Sequence, residues 1–182
     1  MKTYAIVFAS ALLLAAASAF AQGGSSAGKM TEAPTDPQIA HIVVTANEVD
    51  IEAGKLAESK ASAKEVKAFG KQMVTDHSGV NKQATELVTK LKVKPEDNPT
   101  SKSLKSNGDD MLKKLKGMKG KEFDKAYIDN EVSYHQTVLD TIDKTLLPNA
   151  KNEELKSLIT KVRPAIAAHL EHAKQIQATL NK

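Results

Sequence analysis

From Ile39 onward, apolar residues recur at intervals of three and four, and only a few places break the pattern. Ile39, Ile42, Val43, Ala46, Val49, Ala53, Leu56 and Ala57 share one face of a helix, as a 3.6-residue period requires. Thr35-Asp36-Pro37 supplies a capping residue and an early proline, so a first helix is predicted from there to about Ser59. Ser62 with Glu65 reads as a capping box for a second helix to about Val93, carried by Val66, Phe69, Met73, Val80, Ala84, Leu87 and Leu91. Lys94 to Gly108 holds two prolines with Asn, Ser and Gly and is predicted to be a loop. A short helix is expected over Asp109 to Lys116, with breaks at Gly117 and Gly120. Long helices are expected over Lys121 to Leu147 and Asn152 to Asn181. Pro164 inside the last should remove one backbone hydrogen bond and kink it. No segment alternates as strands do. The pattern predicts an all-α four-helix bundle with a short extra helix in the connection between its second and third long helices.

Composition adds an expected cellular address. Met1-Lys2, the apolar run from Tyr4 to Ala17 and Ala19-Phe20-Ala21 make residues 1–21 a predicted signal peptide, cleaved before Gln22. The run is shorter than the roughly 20 residues of a membrane span, so the mature chain is expected to carry no transmembrane segment. Residues 22–35 are Gly/Ser-rich and read as a flexible linker; residues 36–182 form the expected bundle domain. The chain has no cysteine, which excludes a lipid anchor, disulfides, thiolate metal sites and a cysteine nucleophile. A periplasmic or secreted protein is expected. Arg163 is the sole arginine and there is no Trp, a poor set for reading nucleic acid. The lysines are interspersed with acids and read as solvated faces, with anionic envelope components as the partners they would suit.

The chemistry lies in polar residues at apolar positions. On a 100°-per-residue wheel Asp50 falls inside the arc of the first helix, and Asp76 and His77 flank that of the second. Glu131 and His135 sit mid-arc on the third, and His169 sits near the centre of the fourth. Glu48, Glu52, Glu171 and His41 point away. Counted at ~1.5 Å per residue from the tight turns, all six reach about mid-height of the bundle, so they can meet. Burying such groups costs roughly 2–7 kcal/mol each unless they are paired or bind metal. Two readings stay open: a satisfied polar network that fixes helix register, with Tyr127 and Tyr134 contributing hydroxyls, or a site for a divalent metal. Carboxylates and imidazoles without sulfur suit Fe, Zn, Mn or Cu. A di-iron centre wants Glu-x-x-His from two helices, whereas this chain offers Glu131-x-x-x-His135 and is richer in His.

Asp50-Ile51-Glu52-Ala53-Gly54-Lys55-Leu56-Ala57 and Val66-Lys67-Ala68-Phe69-Gly70-Lys71-Gln72-Met73-Val74-Thr75-Asp76-His77 resemble the domain-of-unknown-function 4142 family. So do Phe123-Asp124-Lys125-Ala126-Tyr127 with His135, and Pro164 with His169-Leu170 and Ala173. The resemblance runs from about Asp36 to Leu180. It implies a ferritin-like bundle of the cell envelope, in a family whose members are often labelled outer-membrane or exported proteins and which brings no activity with it. That family commonly has Glu where this chain has Asp50. The leading expectation is therefore a non-enzymatic, stress-linked ferritin-like protein with a structural or metal-binding centre. The alternatives are a metal-dependent, di-iron-like oxidoreductase and a helical interaction module at the envelope.

Overall fold

The helix that starts at Asp36 begins where Thr35 turns its N–H to the Gln38 carboxamide at 3.1 Å, and it buries Ile39, Ile42 and Val43 within two turns. The structure is a computed structural model that describes residues 33–182; the expected signal peptide and most of the expected linker lie outside the described residues. Five helices make up this part: α1 (Asp36–Lys60), α2 (Lys64–Lys90), α3 (Pro99–Lys116), α4 (Gly120–Thr141) and α5 (Glu153–Leu180). Beyond Thr141, α4 widens into a π-helical turn, Ile142–Leu146, and ends with one more turn, Leu147–Asn149. No strand occurs among the described residues. None of their helices is long and apolar enough to cross a membrane. α5 continues through Pro164.

Two expectations need correction. The predicted loop over Lys94 to Gly108 is in its second half helical, so α3 is an 18-residue helix and not a short one. Pro99 stands at the first helical position, where its missing N–H costs nothing, and Asn98 Oδ1 accepts from the Ser101 N–H at 3.0 Å. Gly108 belongs inside that helix because a Cβ there would lie 2.7 Å from Val49, so its absence lets α3 lie against α1. The second correction is the start of α2. Ser62 is not its cap; the N–H groups of Ser62 and Ala63 donate to the buried carboxylate of Asp124 at 2.9 and 2.8 Å. An aspartate early in α4 thus neutralises the positive end of α2 and holds the two helices together.

α1 pairs most closely with α2, and α4 with α5; across the two hairpins the backbones stand farther apart. α1 and α2 come close at Gly54 and Gly70, where a Cβ on Gly54 would meet the Gly70 carbonyl oxygen at 2.7 Å. Apolar residues form two clusters. One gathers Ile39, Ile42, Ile142, Ile159 and Leu170. The other gathers Phe69, Met73, Phe123, Tyr127 and Ile128, each contributing about 1.5–3 kcal/mol of burial. Along α1, α2 and α4 the residues between those clusters include Asp50, His77, Glu131 and His135, and His169 lies on α5 where the clusters meet. The fold places a polar layer between two apolar ones.

Candidate metal centre

Asp50, His77, Glu131, His135 and His169 are all buried, with side chains contributed by α1, α2, α4 and α5. The imidazoles form a triangle, with ring centres 5.3 Å apart for His77 and His169, 5.5 Å for His135 and His169, and 5.8 Å for His77 and His135. Asp50 Oδ2 lies 2.9 Å from His77 Nε2 and 3.4 Å from His135 Nε2. Two overlapping groups have ligand atoms within 4.8 Å of one another: His77 with His135 and His169, and Asp50 with Glu131 and His135.

The hydrogen bonds on the far side of each ring decide its tautomer. Asn47 donates its Nδ2 to the Val43 carbonyl at 2.7 Å, which turns its Oδ1 toward His77 Nδ1, also at 2.7 Å. An amide oxygen only accepts, so His77 carries its proton on Nδ1. His135 Nδ1 faces the Glu131 backbone carbonyl at 3.0 Å and must likewise donate. His169 Nε2 meets the Asp76 carboxylate at 3.0 Å and donates there. Each neutral ring then keeps one bare lone pair: His77 Nε2, His135 Nε2 and His169 Nδ1. These three nitrogens are buried and find no hydrogen-bond partner among the described residues; nor do either oxygen of Asp50, either oxygen of Glu131, or the Tyr127 hydroxyl. The 2.9 Å contact between Asp50 and His77 is off the axis of a ring N–H, so it is not a hydrogen bond. Among the described residues the inner ring nitrogens of the three histidines stay open.

Electrostatics follows burial. Burial pushes the Glu131 carboxyl well above its ordinary range, and the Asp50 charge adds to that. Burial alone would raise Asp50 too, but the imidazoles of His77 and His135 hold it below its usual value. Burial lowers His135 and His169, against the pull of Asp50 on the first and of Asp76 on the second. The phenols of Tyr127 and Tyr134 are driven up by burial and by the two carboxylates. The centre therefore has one carboxylate held toward its charged form, one carboxyl that resists charging, and two imidazoles, His135 and His169, that resist protonation.

Five of the six sequence-predicted residues come together, and Asp76 does not. It is exposed and reaches the cluster only through the outer nitrogen of His169. Glu48, Glu52 and Glu171 are exposed as expected, and His41 turns outward to Asp97 at 3.4 Å. Tyr134 donates to the Ala46 carbonyl at 2.8 Å rather than to the cluster. Asn47 escapes a search restricted to acids and histidines, although it lies on the same face as Val43 and Asp50. The fold and the site together define a class: an all-helical protein with a buried histidine–carboxylate centre. Residues 19–176 match the family described as "Domain of unknown function (DUF4142)", and the chain belongs to that family. No curated protein and no solved structure gives a significant match.

Proposed function

We propose that the protein is an exported, ferritin-like four-helix bundle, with α3 as the added helix, that holds one divalent transition-metal ion. Its ligands are His77 Nε2, His135 Nε2, His169 Nδ1 and Asp50. The carrying observation is the set of three fixed tautomers, which leaves three buried ring nitrogens with bare lone pairs in one cluster, two of them within 3.4 Å of the Asp50 carboxylate. Facing lone pairs repel unless a cation lies between them. Metal–ligand bonds of about 2.1 Å give ligand–ligand separations of about 3.0 Å at right angles and about 3.4 Å at tetrahedral angles. The 2.9 and 3.4 Å contacts of Asp50 Oδ2 fit those edges. Asn47, the Glu131 carbonyl and Asp76 then act as the outer partners that orient metal-bound imidazoles. A neutral Glu131 supports one cation rather than the charged, bridged pair of a di-iron centre. The nitrogen and oxygen donors suit Zn, Fe, Mn or Cu. The charged, apolar and small-residue order of residues 1–21 supports export to the periplasm or beyond.

The test is metal analysis of tag-free protein recovered from the envelope and dialysed, with about one equivalent expected. Added metal at 100 times its Kd should raise the stability of the stripped protein by about 2.7 kcal/mol. His135→Gln should abolish both signals. Protein that retains no metal and whose melting is unmoved by Fe, Zn, Mn and Cu would sink the proposal.

A further inference from the structure

An apolar cavity opens onto the same centre. Asn47, Asp50, His77 and His135 line one end, and the rest is walled by Ile42, Val43, Val138, Ile142, Ile159 and Ile166 among others. Along α4 it extends from His135 to Leu146, eleven residues or ~16 Å of helix, and the π-helical turn forms part of its wall. Its volume is about 40 Å³. One water needs about 10–15 Å³, and an engineered apolar cavity of about 150 Å³ takes benzene, so this space exceeds one water and is too small for an aromatic ring. Away from that polar end, the isoleucine and valine walls offer water none of the two to four polar partners it requires. Ions and polar solutes would lose hydration on entering it.

A second space lies on the outer side, between α3 and the α1–α4 face. It is a cleft of about 180 Å³ lined by Val49, Met111, Leu112, Asn107, Asn130 and Ser133 among others. Leu104 and Tyr134 line both spaces and so form the partition between them. Tyr134 is held there by the 2.8 Å hydrogen bond from its hydroxyl to the Ala46 carbonyl, and its ring stands edge-on to His135 at 6.1 Å.

We propose that the inner cavity binds a small uncharged apolar molecule of diatomic size, such as dioxygen, which enters from the cleft under α3 past Tyr134 and Leu104 and comes to rest beside the histidine triangle. The cavity and its gate stand independently of any ion; only delivery to a bound cation rests on the metal reading above. Xenon is the probe, because it has suitable size and no chemistry. Crystals of the metal-stripped protein under xenon pressure should show one site between Val138, Ile142 and Ile166, and the absence of xenon there overturns the proposal. Metal-free protein is used so that failure of the cavity and failure of the metal centre read separately. Val138→Phe should remove that site while leaving metal content unchanged, and Ile166→Phe serves if the first variant does not fold; xenon persisting in the filled cavity overturns its placement. Tyr134→Phe loses only the latch, so exchange of bound and free xenon by NMR should accelerate about 2- to 10-fold, the worth of one hydrogen bond. An unchanged exchange rate overturns the gate.

Discussion

Asn47→Leu keeps the volume of the side chain at position 47 and removes the acceptor that fixes His77. In the native chain the 2.7 Å contact to His77 Nδ1 and the 2.7 Å donation to the Val43 carbonyl make a short relay, buried throughout. The Val43 carbonyl also accepts within α1, so its loss is minor, while His77 loses its only partner on that nitrogen. Leaving a buried ring N–H unpaired costs about 1–3 kcal/mol. The ring can recover part of that by moving its proton to Nε2, toward Asp50. That move caps the lone pair a cation needs. Metal affinity should therefore fall about 10–100-fold, the usual worth of an outer partner of a ligating histidine. The metal-free protein should melt lower by about 2–4 °C for each kcal/mol lost. Competition titration against a chromophoric chelator measures the first quantity and a thermal melt of stripped protein the second. Affinity within twofold of wild type, in a variant that melts lower, would refute the reasoning: Asn47 would then support the fold without setting the tautomer.

Glu131→Gln replaces a carboxyl that burial already keeps neutral, so stripped protein should stay within about 1 kcal/mol of wild type, whereas Glu131→Ala should cost about 2–5 kcal/mol through the cavity it leaves. Urea melts of both decide it, and equal losses would count against a neutral Glu131. His135 and His169, whose imidazoles burial holds below their ordinary 6.5, take up protons more readily in the unfolded chain. They therefore make stability rise with pH on approach to 6.5, whereas the raised carboxyl of Glu131 opposes that rise. Glu131→Gln removes the opposition, so the stripped variant should gain stability toward pH 6.5 more steeply than stripped wild type. Urea midpoints of the variant that stay flat or fall on that approach contradict the shifts. Gly54→Ala should cost about 1–3 kcal/mol because its Cβ would lie 2.7 Å from the Gly70 carbonyl oxygen, and an unchanged melting temperature would mean that α1 and α2 can move apart freely.

The buried polar residues are legible in the sequence because each sits where its helix otherwise buries carbon. The wheel does not choose between Asp76 and His77, which flank the seam of α2; neighbours on a helix stand about 100° apart, so the packing that turns His77 inward sends Asp76 toward solvent. Asn47 carries the same positional signal as Asp50 but no charge, and a neutral amide is not an evident ligand. The start of α3 is misread because Pro99 looks like a breaker until Asn98 is recognised as the cap in front of it. The cap of α2 is beyond local reading altogether, since Asp124 stands 62 residues from Ser62 and is brought there only by packing. Tautomers are one step further removed, because they depend on which oxygen meets which nitrogen.

The hairpin α1–α2 contributes Asp50 and His77, and the hairpin α4–α5 contributes Glu131, His135 and His169. Each hairpin is tight within itself, and the polar groups face one another across the wider gap between them. That gap is the natural line of parting: stripped of any counter-charge, it sets unpaired acceptors against each other where the two halves touch least. A cation held there would work as a clasp, joining positions far apart in a chain that has no cysteine with which to make a disulfide. Amide exchange should then slow on both hairpins at once when the clasp closes, and most at the turns of helix that carry Asp50, His77, His135 and His169.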